Sequence, residues 1–151
     1  MALASTQVAD ATKALLLGTT LAGNSVFKGR HWPIAEDALP ALRVMQGDED
    51  VNTDDVTWPK LYQHELDLEI EVLVRDVTDI DTALDLLAAD VIEALLGTEA
   101  HAYLEPRPNC ELELRGISRL PASEGQAATG RALVRLLARF QTASNDPHTL
   151  V

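Results

Sequence analysis

A single cysteine, Cys110, stands among 151 residues. That excludes an intramolecular disulfide framework and fits a reducing compartment. No stretch approaches the roughly 18 consecutive apolar residues that a membrane-crossing helix needs. The opening residues, MALASTQVADATK, lack the basic-then-apolar order of a secretory signal, so neither export nor membrane association is expected. Internal repeats and low-complexity tracts are missing as well. Basic residues are scarce: 12 Lys and Arg face 24 Asp and Glu, for a net charge of −12. Such a surface repels phosphate backbones, which disfavours a protein that grips nucleic acid. It leaves room for one that DNA slides past without being held.

Signatures of catalysis and metal binding are equally thin. His31, His64, His101 and His148 fall in different segments, and none has a His, Cys or carboxylate at a ligand spacing. The expectation is that His31 and His64 are strand-surface residues and that His148 belongs to a mobile tail. Asp48, Asp50, Asn52 and Asp54 mimic the start of a calcium loop. However, Thr53 occupies the place of the obligatory glycine and Pro59 that of the bidentate Glu. Cys110 has no basic neighbour to lower its pKa and reads as a small buried apolar residue. Ser118 and Ser123 lack a base partner at sequence level. There is no nucleophile elbow, phosphate loop or dinucleotide fingerprint. No cofactor, metal or enzymatic activity is expected.

What is present is a strongly patterned chain of a length that suits one domain, with residues 143–151 a flexible tail. Over residues 62–75 (YQHELDLEIEVLVR) side chains alternate with period two. Leu66, Leu68, Ile70, Val72 and Val74 fall on one face; Glu65, Asp67, Glu69, Glu71 and Arg75 fall on the other. A helix would scatter those acids, so this is a long strand with one buried and one acidic face. Before it, residues 6–22 read as a helix capped by Ser5 or Thr6. Residues 25–32 read as a short strand, 35–39 as a turn or helical corner, and 41–45 as a second strand. Residues 46–60 are polar and aperiodic, a loop or hairpin tip holding Asp48, Glu49, Asp50, Asp54 and Asp55.

After the long strand, Asp79 opens a helix whose stripe is Ile80, Leu84, Leu87, Val91 and Leu95, with Gly97 as its stop. Residues 98–109 are irregular. Residues 110–115 (CELELR) alternate again, and Gly116 marks a bulge or bend. Residues 121–130 read as a loop. Two readings compete over residues 130–141 (GRALVRLLARFQ). Arg131, Arg135 and Arg139 recur every four residues and Ala and Leu favour a helix. As a strand the same segment would lay the arginines against Glu69, Glu71, Glu111 or Glu113 across a sheet. Opposed charge rows of this kind suit pairing between subunits as well as within one chain.

Four segments in this order resemble the tail terminator proteins of long-tailed bacteriophages, the minor tail protein U-like group. They are VFKGRHWPIAEDALPALRVMQGDEDV; HELDLEIEVLVRD leading into DIDTALDLLAADVIEALL; CELELRGISRLPASEG; and GRALVRLLARFQT, which in that family is a β-strand. The resemblance spans residues 24–142 and rests on pattern and order. It implies an α+β fold, a twisted, mainly antiparallel sheet of four to five strands with two α-helices packed mainly on one face. It also implies a structural virion protein, found in the host cytoplasm during assembly and at the head-proximal end of the tail afterwards. Six copies would form a ring that caps the tail tube, ends its polymerisation and meets head-completion (connector) proteins. DNA would pass through the lumen unheld.

A closed ring needs two different complementary faces on each subunit. Arg131, Arg135 and Arg139 against Glu69, Glu71, Glu111 and Glu113 are the candidates. Asp48, Glu49, Asp50, Asp54 and Asp55 are candidates for the lumen or the contact with the tube protein. Another head–tail connector or tail-tube component is the nearest alternative. A small enzyme or binding module is a distant one that would require a deep pocket with convergent polar groups.

Overall fold

A computed structural model describes residues 2–29, 34–75, 78–97, 110–120 and 129–151. The alternating segment forms strand β3 (Leu61–Arg75), the centre of the architecture. It is flanked by β2 (Ala41–Asn52) and β5 (Thr129–Ala143), with β1 (Val26–Lys28) and β4 (Glu111–Leu120) outside them. The order is β1-β2-β3-β5-β4, and β6 (Asp146–Leu150) pairs with β5. Every pairing is antiparallel except β1 with β2. Helices α1 (Ala4–Leu16) and α2 (Ile80–Leu96) supply the remaining layer. The fold class is α+β, as the sequence implies, with a six-stranded sheet in place of four or five.

The two faces of β3 are sorted as their alternation predicts. Leu66, Leu68, Ile70, Val72 and Val74 are buried and join Leu84, Leu87, Val91 and Leu95 of α2, Val8 and Leu16 of α1, and Val134 and Leu136 of β5 in one core. Helix α2 starts where expected: the Asp79 carboxylate accepts the Thr82 N–H at 3.1 Å and the Thr82 hydroxyl at 2.7 Å. Those bonds, the hydroxyl first, hold the Asp79 carboxyl below its ordinary range. A depressed carboxyl stabilises the fold above the unfolded aspartate pKa of about 3.9 and loses that contribution as pH falls through the folded value. Asp79→Ala should therefore lower the urea midpoint at pH 7. The gap to the parent should close in acid, and a gap independent of pH would refute the capping role.

Both ends of the first helix and the extent of the first strand differ from the sequence reading, and the turn expected at residues 35–39 is present. Helix α1 begins at Ala4 with Leu3 at its N-cap and no side-chain cap, so Ser5 and Thr6 lie inside it. It ends at Leu16 because Gly18 turns to φ 73, a left-handed conformation in which its N–H meets the Gly23 carbonyl at 2.8 Å. Residues 25–32 yield only Val26–Lys28 as strand among the described residues, and residues 35–39 yield a 3-10 turn at Glu36–Ala38.

Strand β2 does not stop at Met45. It continues through Asp48, Glu49 and Asp50, paired with β3 as far as Asn52 opposite Gln63. A bulge between Gln46 and Glu49 shifts the phase of alternation, which removes the period-two signal from the sequence. The polar end, read as a fraying tail, holds β6: the Asp146 carboxyl caps its turn, lowered by the Thr149 hydroxyl and by the His148 N–H at 3.1 Å. His148 Nδ1 lies 3.1 Å from the Ala2 carbonyl, so this strand meets the start of α1. His148 is thus part of the sheet, in contrast to the mobile tail expected for it.

The competition over residues 130–141 is resolved as strand, in register with β3 along its whole length and with β4 on its other side. Ala132, Val134, Leu136, Ala138 and Phe140 enter the core. Residues 98–109 and most of 121–130 lie outside the described residues, as does His31.

Candidate assembly surface

Neither helix covers the second face of the sheet, and there the arginine row meets the acids of β3 and β4. Glu71 sits between two guanidinium groups, Arg43 at 2.9 Å and Arg131 at 2.6 Å, and its side chain is only 2% exposed. Arg139 reaches Glu113 at 2.8 Å and Glu65 at 3.4 Å, and Arg115 lies 3.7 Å from Glu113. The hydrogen bond to Glu65, then the Glu113 charge, push the Arg139 pKa upward. These pairings fall on adjacent strands because β5 runs between β3 and β4. Glu69 is opposite Arg135 and Glu111 opposite Arg139 in the register. Arg135 itself makes no ion pair with a described residue. Its guanidinium lies over Gly116, where a β-carbon would come within 2.7 Å of it. Ion pairs thus lie toward both ends of the face, with Arg135, exposed and without an ion pair to a described residue, between them.

The acidic group of residues 48–55 is dispersed rather than gathered in a loop. Asp48, Asp50 and Asp54 are exposed, and Asp55 accepts the Leu61 N–H at 2.7 Å. Beyond the bulge, Glu49 turns toward the helix side and meets His64 Nδ1 at 3.1 Å. His64 Nε2 lies 2.7 Å from the Thr142 hydroxyl, and its ring stacks on Phe140 at 4.7 Å. Sequence reasoning placed His64 on the strand surface, and no spacing links it to residues 15 and 78 positions away. The order carboxylate, imidazole, hydroxyl is that of a nucleophilic relay. Thr142 is only 1% exposed, however, so its hydroxyl is closed off as a nucleophile and the group ties β2, β3 and β5 together.

Residues 53–60 join β2 to β3 in a tightly bonded turn. The Thr53 hydroxyl donates to the Leu61 carbonyl at 2.7 Å, the Lys60 N–H donates to the Ser144 hydroxyl at 3.0 Å, and the Ser144 N–H returns to the Lys60 carbonyl at 2.8 Å. This fixed turn presents apolar side chains to water: Val56 is 94% exposed and Trp58 73%, beside Val51 and Leu61. At the opposite end of β2, next to the edge strand β1, lies an open groove of about 510 Å³. Phe27, Ile34, Ala35 and Ala38 line it, with Lys13 and Lys28 among its cations.

A hollow of about 310 Å³ lies among the paired charges of the helix-free face, and one of about 240 Å³ lies where His64 and Phe140 meet Glu65, Glu111 and Arg139. Among the described residues no group of three or more His, Cys, Asp or Glu is placed to hold a metal ion. Nor, among them, is any helix long and apolar enough to cross a membrane. Cys110 is buried at the start of β4, as expected.

No protein-family model matches the chain, and no curated protein matches it. Among solved structures it is similar to a chain of the virion of a native gene transfer agent (GTA) particle. Identity is 21%, the match covers 93% of this chain and 100% of that one, and the TM-score is 0.49.

Proposed function

We propose that this chain is a structural virion protein whose copies close into a ring of six on the head-proximal end of a phage tail tube. The ring ends tube polymerisation, offers a surface to a head-completion protein and leaves a lumen for DNA. Support comes from the order of the sequence segments that resemble tail terminators, together with the α+β fold that this resemblance implies. One observation carries the choice of interface. On a sheet face where Arg43, Arg131 and Arg139 are all matched within the chain, Arg135 lacks a described ion partner. An exposed guanidinium without an ion pair to a described residue suits a carboxylate of the neighbouring subunit and fixes register more than affinity.

The interface candidates therefore narrow to Arg135, because Arg131, Arg139, Glu71 and Glu113 serve their own sheet. The lumen or tube contact narrows to Asp48, whose exposed carboxylate repels phosphate, since Asp50 and Asp54 flank the β2–β3 turn. Arg135→Glu is expected to convert rings to monomers in light scattering, with only a small drop in urea midpoint from the like charge opposite Glu69. Arg135→Ala, with no added repulsion from Glu69 or Glu113, should weaken rings less. Rings unchanged in both variants would remove Arg135 from the interface.

A further inference from the structure

We propose that the β2–β3 turn of one subunit inserts Val56 and Trp58 into the groove beside β1 of the next copy of this chain. The inference rests on the ring reading and supplies a second part of its subunit contact. An indole and an isopropyl group held in water by a hydrogen-bonded turn form an exposed apolar patch of the kind that marks an interaction site. The base of the turn is held by bonds of Thr53, Asp55, Lys60 and Ser144, and Val56 and Trp58 project between them.

The occupant is matched in chemistry. The groove offers an aromatic and aliphatic floor from Phe27, Ile34, Ala35 and Ala38, and a cationic rim from Lys13 and Lys28. The turn offers an aromatic and aliphatic tip flanked by the exposed carboxylates Asp50 and Asp54. Lys28 already pairs with Asp10, whereas Lys13 forms no ion pair with a described residue.

The β2–β3 turn of a subunit does not reach that subunit's own groove. Arg43 borders the groove and Asn52 ends the same strand. The nine residue steps between them hold groove and tip ~30 Å apart along an extended chain. Tip and groove are different surfaces on one subunit, so their contact is head-to-tail. Repeated round an axis, it closes a ring without leaving a free end. A buried tryptophan anchor commonly carries the largest share of such a contact.

Sedimentation velocity on the full chain tests this with two variants at exposed positions. Val56→Ser/Trp58→Ser removes the tip, and Ala35→Arg blocks the groove. Each alone should weaken assembly by about 30-fold or more, the scale of losing one anchor residue. The decisive arm mixes the two. The sound tip of the groove variant fits the sound groove of the tip variant, while the reverse junction is doubly defective. The mixture should therefore stop at one-to-one dimers.

Wild-type rings with both variants still forming them would leave the ring reading standing and overturn the tip-in-groove contact. So would a mixture that stays monomeric, or a tip variant that keeps its ring and loses only tail-tube binding. A wild-type chain monomeric at every concentration would overturn the ring reading itself.

Discussion

Glu71→Ala is expected to cost about 3–5 kcal/mol of folding stability, the loss usual when one partner of a buried ion pair is removed. The carboxylate is 2% exposed and is the shared partner of Arg43, at 2.9 Å, and of Arg131, at 2.6 Å. Arg131 is about half exposed and can be rehydrated, whereas Arg43 is only 13% exposed. The double change Arg43→Met/Glu71→Leu removes both charges and fills the space with apolar atoms, and should recover most of the stability. Urea unfolding of the three proteins checks both parts. A single-mutant loss below about 1 kcal/mol, the range of exposed pairs, would show that the face is wetter than its geometry indicates.

Gly130→Ala should be nearly as damaging, through packing and with no charge involved. A β-carbon at Gly130 would lie 2.2 Å from the Ile80 γ2-methyl and 3.1 and 3.2 Å from Leu84 and Val74. The first turn of α2 rests directly on the start of β5, and one methyl must push the helix off the sheet. Overpacking of this kind costs about 1–3 kcal/mol and sometimes more. Ile80→Ala opens the colliding position, so Gly130→Ala should be much less harmful in that background. The non-additivity, read from unfolding midpoints of the four proteins, identifies the cause. Equal losses in both backgrounds would place the strain elsewhere.

Both positions show what the residue pattern makes legible and what it hides. Strand β3 and helix α2 are readable because each carries one unbroken period, from Leu66 to Val74 and from Ile80 to Leu95. The second half of β2 is hidden because its bulge moves Glu49 to the face of Leu66, so alternation on either side is out of phase. Strand β6 is hidden because Asp146, Pro147 and His148 have the composition of a loop. Their order comes from β5 and from the start of α1, which are remote in sequence. Strand β5 is ambiguous because Ala and Leu favour a helix locally, while its partners on β3 and β4 are tertiary.

The candidate surface divides in the same way. The match of Arg131 with Glu71 and of Arg139 with Glu113 follows from charge patterning once β5 is a strand. Arg43 is not foreseeable, since its reach to Glu71 depends on a register that the sequence does not state. Val56 and Trp58 carry no periodicity at all. Only the turn's hydrogen bonds distinguish them from ordinary loop residues.

The central claim is that copies of this chain associate through dissimilar flanks that close on themselves. Native mass spectrometry of the purified chain across a concentration series tests it most directly. The account predicts a single assembled species of six subunits that does not grow as protein is added. A two-fold dimer as the end point, or filaments that lengthen without limit as a tube protein's would, contradicts it.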